Sequence, residues 1–419
     1  MEKASGPGLD PSRPTPVPPW GALTLRDFKY FWTSALFGNV SRFMREMLSY
    51  YLIYEISGSP VQLGLTGLFQ AVPVVILGLI GGSMADAVNR KKLIFITQAV
   101  GLVPAVALAA LVFTDSIAVW HLWVLTSLTS AANVMANPAQ RSFFPRLVPR
   151  SHLMNAVTLY SVSTQGSLLL GPLLAGVLAG WLGIGVAFVI TGVLQGAAML
   201  TLLGIRTSGM PEGAVNRRAV SLTAIVEGLR FLQTQKIIWA GFLIDFGVMA
   251  AGFYRILLPV VADDMFGVGI VGLGALNSAP AVGSAVATVL LLGVGDIRPK
   301  GMIIVSAYVL YSLFLILLGL SPWFWLAVVA VAGLGAADMI SYTVRQTVTQ
   351  LVAPDDFRGR TAAASQISAS VANTTGAMQI GFVTALLGVS GALMAGGVVG
   401  VALAVLITYK MRDLWRYRT

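Results

Sequence analysis

From Phe28 onward the chain alternates long apolar runs with short polar segments. Twelve runs begin near Phe28, Val61, Leu93, Trp120, Leu153, Gly183, Ile237, Gly269, Met302, Trp323, Ala362 and Gly391. Each is long enough for a helix crossing the roughly 30 Å hydrocarbon core of a bilayer, which takes about 20 apolar residues. The polar segments are not alike. Place both chain ends and every connection from an even to an odd run on one side. That side then holds every Lys and Arg except Arg42, Arg45 and Arg255, which fall inside runs. The opposite connections hold none. Segments rich in Lys and Arg stay cytoplasmic, so the pattern predicts an all-α membrane protein with twelve transmembrane helices and both termini in the cytoplasm.

The longest polar interruption divides the runs six and six. The expected organisation is a disordered tail over 1–27, a helix bundle over 28–204, a linker over 205–236, a second bundle over 237–409 and a basic tail over 410–419. Pro7, Pro11, Pro14, Pro16, Pro18 and Pro19 crowd the first segment. In the linker, Leu222, Ile225, Val226, Leu229 and Leu232 recur at helical spacing, which predicts an amphipathic helix on the cytoplasmic face.

Composition narrows the function. At 56% hydrophobic and 11% charged residues over 419 positions, the chain is not a soluble globular one. With no cysteine, disulfides, thiolate metal sites and cysteine nucleophiles are excluded, and His121 and His152 are too few for a histidine-built metal site. No cofactor is expected. The net charge of +10 is spread over short connections, which points to anionic membrane lipids rather than nucleic acid as the partner. Nothing calls for more than a monomer.

The two halves echo each other. Gly82 and Asp86 precede Arg90 after the second run, as Gly293 and Asp296 precede Arg298 after the eighth. Arg141 leads to Leu147 and Pro149 after the fourth run, as Arg345 leads to Leu351 and Pro354 after the tenth. Arg141 and Arg345 stand the same distance apart as Leu147 and Leu351. Such duplication marks secondary transporters. The Gly82–Lys92 loop resembles the cytoplasmic signature of the major facilitator superfamily, with Asn89 where glycine is usual; Asn tolerates left-handed backbone, so the turn is expected to survive. Ser167, Gly171, Pro172, Ala175 and Gly176 resemble the antiporter signature of drug-exporting facilitators, and by themselves show small-residue helix packing. The loops Asn137–Pro149 and Gln350–Arg360 are similar to the drug–proton antiporter branch that includes macrolide, enterobactin and lysophospholipid transporters. The resemblance implies two six-helix bundles, a central cavity lined by spans 1, 4, 7 and 10, and export coupled to an inward ion flow.

Six ionisable residues lie inside runs: Arg42, Arg45 and Glu46 in span 1, Asp245 and Arg255 in span 7, and Asp338 in span 10. Facing lipid at about 2.5 to 3.5 kcal/mol each, they would outweigh the net stability of a fold. They must face protein or a water-filled cavity. Asn39, Arg42, Arg45 or Glu46, and Ser49 form one stripe of span 1; Thr126, Thr129, Asn133 and Asn137 form one of span 4. Arg42 and Glu46 also fit a local i,i+4 pair, and Asp338 also fits a loop anchor. Asp245 has no cation within a turn along its own helix and is the expected proton carrier, while Glu46 is expected to meet Arg255 across the cavity when the outer side closes. Tyr50, Tyr51 and Trp120, Trp181, Trp323 and Trp325 are expected as interfacial anchors. Three arginines in a cavity favour an anionic or zwitterionic amphiphile over a cation. The leading expectation is a proton-coupled exporter of a small amphipathic solute. Alternatives are a uniporter or importer of the same fold, a non-transporting receptor and a membrane enzyme; no nucleotide-binding loop or catalytic cluster supports the last.

Overall fold

The computed structural model describes residues 18–210, 230, 233–295, 299–352 and 355–410, with side chains described except at 78–87, 236–237, 355–368 and 370. Apart from 3-10 and π turns, the described elements are α-helices. They are α1 (Arg26–Ser57), α2 (Pro60–Ala87), α3 (Arg90–Phe113), α4 (Val119–Phe143), α5 (Leu153–Leu182), α6 (Ile184–Leu203), α7 (Lys236–Ala251), α8 (Gly269–Val294), α9 (Lys300–Leu320), α10 (Phe324–Val352) and α11 (Asp355–Lys410). The expected amphipathic helix (222–232), Asp296 and the basic tail (411–419) lie outside the described residues.

Among the described residues there are thus eleven long helices where twelve runs were read. A straight helix of 56 residues would reach about 84 Å, almost three hydrocarbon cores. α11 avoids this by breaking at Gly388, whose φ of 71° and ψ of 171° only glycine adopts freely. Gly183, the joint between α5 and α6, has nearly the same conformation, φ 87° and ψ 156°. Gly58 and Gly267, closing the matching ends of α1 and of the seventh run, share φ of 58° and 59°. The repeat is therefore written in the glycine backbone. Among the described residues, nine helical segments are apolar enough to cross a membrane. α1 and α4, long enough at 32 and 25 residues, are not among them because polar side chains interrupt their apolar character.

Packing repeats as well. α1 packs on α5 and α6, α3 on α4 and α6, and α2 on α4; α7 and α9 pack on α11, and α8 and α9 on α10. The halves meet where α2 crosses α11 and α5 crosses α8. Lipid gives helices no hydrophobic reason to associate, so close backbone approach at small residues supplies the contact. A Cβ on Gly176 would lie 3.0 Å from the Gly274 Cα, and one on Gly381 2.7 Å from the Pro60 carbonyl oxygen. The small residues of α5 serve two neighbours: a Cβ on Gly171 would meet the Phe43 Cβ of α1 at 2.7 Å, while the Pro172 carbonyl lies against Gly274.

The seventh run departs from its counterpart. α7 stops at Ala251; after a non-helical stretch the chain makes a 3-10 turn (Arg255–Leu257), a short α-turn (Leu258–Val260) and a π-turn (Val261–Met265). Tyr311 donates to the freed Gly252 carbonyl at 3.1 Å. A Cβ at Gly252 would lie 2.7 Å from Leu315, so this position favours glycine.

At the basic end, two expectations change. Asn89 is not left-handed: with φ −60° and ψ 111° it caps α3, its side chain accepting from the Lys92 N–H at 3.1 Å. The asparagine side chain supplies an acceptor for this cap that glycine would not. Residues 18–25, read as part of the disordered tail, are folded back: Asn155 accepts from the Ala22 N–H at 2.8 Å, and Asp27 accepts from the Arg206 and Thr207 N–H groups at 3.1 and 2.8 Å. Arg90 donates to the Ser142 carbonyl at 3.4 Å, while Arg141 is exposed in the last turn of α4. Gly82 and Asp86 lie in α2, where side chains are not described.

Candidate transport pathway

Two adjoining cavities of about 160 and 90 Å³ open inside the first half. Arg42, Arg45, Thr129 and Asn133 line both; Glu46, Ser49, Gln70 and Thr126 complete one, Asn39, Gln98, Asn137 and Gln195 the other. The stripes read on spans 1 and 4 therefore face one another. The sequence reading missed α3 and α6: Gln195 donates to the Gln98 side chain and to its carbonyl at 3.1 Å. A buried glutamine on each helix signalled this, but each was hidden in an apolar run.

Among the described residues, the two cavity arginines of this half are unpaired by carboxylates. Arg45 is only 4% exposed, and its guanidinium donates to the Ser41 hydroxyl at 3.5 Å. Arg42 lies over the Phe43 ring at 4.1 Å. Among the described residues neither arginine has a carboxylate within salt-bridge distance, so the local Arg42–Glu46 pair does not form. Glu46 instead accepts from the Tyr50 hydroxyl at 3.3 Å, which in turn accepts from Gln70 at 3.0 Å. Tyr50 is thus bonded between two side chains that line the cavity. Trp120, Trp181, Trp323 and Trp325 are exposed.

The second half handles charge differently. Arg345, read as a loop residue after span 10, lies within α10 and forms an ion pair with Asp245 of α7. Tyr308 of α9 donates to the same carboxylate at 2.6 Å and accepts from Arg345. Asp245 and Arg345 are 13% and 19% exposed. Asp245 thus has a cation after all, supplied by another helix, which spacing along α7 cannot reveal. Asp338, about two turns nearer the middle of α10, has neither a hydrogen-bond donor nor an ion-pair partner among the described residues. Arg255, at the break after α7, is exposed and lies in the electrostatic reach of Asp338 and Glu46.

The end opposite the basic segments is where the halves join across α1 and the seventh run. The Tyr54 hydroxyl sits 2.7 Å from both carboxylate oxygens of Asp264. Glu46 and Arg255, expected to bridge the halves with this end closed, do not form an ion pair here: Glu46 is taken by Tyr50 instead.

A duplicated helical packing pattern, a broken seventh run and charges turned inward define a multi-pass membrane transporter of the major facilitator class, not an enzyme. Residues 17–414 match the family described as transmembrane secretion effector, and the chain belongs to it. It is 25% identical over 391 residues to the uncharacterized MFS-type transporter YfiS of Bacillus subtilis, covering 87% of this chain and 88% of that protein. It is 23% identical over 373 residues to the enterobactin exporter EntS of Escherichia coli, covering 87% of each. Among solved structures, a bacterial homolog of the human lysosomal transporter Spinster, inward-facing and occupied, superposes with a TM-score of 0.73 at 15% identity, covering 95% of this chain and 98% of that one. A POT family transporter in complex with 5-aminolevulinic acid gives 0.73 at 12% identity, covering 93% and 96%. These two likenesses show the fold.

Proposed function

We propose that the protein exports a small amphipathic solute across the cytoplasmic membrane by alternating access, driven by protons moving inward. Twelve spans follow if α11 is counted as two helices either side of Gly388 and the seventh run as one broken span. They form two bundles joined by the 205–236 linker, with both termini cytoplasmic, the surrounding lipids as partners and a monomer as the working unit. The observation carrying this reading is that an ion pair ties α7 to α10 in the second half, while two arginines and a glutamate of α1 line polar cavities in the first. Efflux, whether of a drug-, siderophore- or lipid-like solute, draws support from the exporter among its relatives.

Coupling is assigned to the two carboxylates of the second half. Asp245 is held by Arg345 and Tyr308, so Asp338 is the one positioned to take a proton. Its neutralisation leaves Arg255 and Arg345 competing for fewer anions and loosens the contact between α7 and α10. A uniporter of the same fold is favoured by one observation, the pairing that already satisfies Asp245.

Flux of a catecholate, a lysophospholipid and a lipophilic cation from proteoliposomes, with and without a pH gradient, tests the reading. Acceleration of at least one by the gradient is expected. Flux indifferent to the gradient would leave the uniporter, and no flux would leave a non-transporting protein. A reporter fused after Thr419 should report cytoplasm, and one between Phe113 and Trp120 the exterior; an exterior signal from the first overturns the orientation.

A further inference from the structure

Two cations and one carboxylate, Arg42, Arg45 and Glu46, are the ionisable residues lining the first-half cavities. The carboxylate is occupied by Tyr50, whereas the guanidinium groups spend few of their donors on protein: Arg45 on Ser41, Arg42 stacked on Phe43. Beside them, Asn39 and Asn133 line the same space and make no side-chain hydrogen bond among the described residues. A buried cation without a carboxylate is costly, and a positive, largely desolvated wall attracts an anion more strongly than water would permit. The guanidinium fork matches two oxygens of one acidic group. At about 160 and 90 Å³, the cavities are smaller than the roughly 300–1,000 Å³ that usually holds a whole ligand. They suit one end of a larger molecule.

We propose that Arg42 and Arg45 form a subsite for the acidic end group, a carboxylate or phosphate-like oxyanion, of the transported solute, with Asn39 and Asn133 as further donors. This rests on the exporter reading above and narrows its substrate to anionic amphiphiles. Glu46 sits one residue beyond Arg45 and opposes the anion, so it weakens binding and eases release.

The test compares 1-naphthaleneacetate with 1-naphthylmethylammonium, nearly equal in shape and opposite in charge, by calorimetry on the full chain in phosphatidylcholine nanodiscs. The acetate should bind at least tenfold tighter. Arg42→Gln and Arg45→Gln should each weaken it about tenfold or more, the worth of a charge-assisted hydrogen bond, without weakening the ammonium. Arg45→Lys should retain part of the affinity. Glu46→Gln should tighten the acetate several-fold, a gain that misfolding cannot imitate. Adding phosphatidylglycerol should leave the affinity unchanged; loss of binding there would assign the subsite to a lipid headgroup and overturn the proposal. Equal affinity for the two probes, no binding of either, or wild-type acetate affinity in both arginine variants would also overturn it. Acetate binding that depends on the arginines without any flux in proteoliposomes would keep the subsite and remove the transport reading.

Discussion

α1 and the seventh run occupy matching places in the repeat, yet they treat charge in opposite ways. α1 is one unbroken helix of 32 residues whose two arginines face a cavity and, among the described residues, pair with no carboxylate. The seventh run breaks after Ala251, and its Asp245 is bound by a cation from α10 and a hydroxyl from α9. Both end on left-handed glycines, Gly58 and Gly267. Duplication thus supplied packing twice, and the side chains then divided the work. Uncompensated charge in the first half favours a ligand that brings the opposite sign. Compensated charge in the second half favours a switch, because a buried pair adds little net stability while losing one partner costs much.

The largest effect should come from breaking the compensated side. Arg345→Gln leaves Asp245 buried with only Tyr308 as partner and should destabilise the protein by about 3–5 kcal/mol. Arg42→Gln and Arg45→Gln remove like charges from one wall and should change stability by less than about 1 kcal/mol. Thermal unfolding of detergent-solubilised protein separates the two, and equal losses in both halves would erase the contrast. The double change of Arg345→Gln with Asp245→Asn should cost clearly less than the sum of its parts.

Next in size are the glycine joints. Gly183→Ala and Gly388→Ala force side chains into backbone conformations that only glycine adopts freely and should each cost about 1–3 kcal/mol. If the repeat is real at this level, the two losses should agree. A neutral Gly388→Ala would mean that α11 is not broken as described.

Smallest is the clasp between the halves. Tyr54→Phe removes the hydroxyl held by Asp264 and should cost about 0.5–1.5 kcal/mol. Its clearer readout is access: since the native chain has no cysteine, Ser49→Cys gives a single site for a membrane-impermeant thiol reagent. Labelling from outside should rise several-fold when Tyr54→Phe is added. No change would show that the clasp does not hold that end shut.

Much of the fold was legible because bilayer physics is severe. Apolar run lengths and the segregation of Lys and Arg announce membrane helices, and Arg42, Arg45 and Glu46 announce an interior, since lipid would not accept them. The stripe of Thr126, Thr129, Asn133 and Asn137 found its cavity for the same reason. What stayed hidden depends on neighbours from other helices. Arg345 looked like one more basic residue near a loop, and only tertiary packing puts it on Asp245. Tyr308 and Gln195 sit in apolar runs where nothing in the spacing marks them. Asn89 showed that a turn was there but not whether its backbone would be left-handed or a helix cap, because asparagine serves both.

The most direct test of the division between halves is a paired flux measurement in proteoliposomes, using the acidic naphthalene probe. Exchange at equal pH reports binding and alternation; accumulation driven by a pH gradient reports coupling. Arg45→Gln should lose both. Asp338→Asn should keep exchange near the wild-type rate and lose the pH-driven component. Full pH-driven accumulation in Asp338→Asn, or identical losses of both activities in the two variants, would contradict the account.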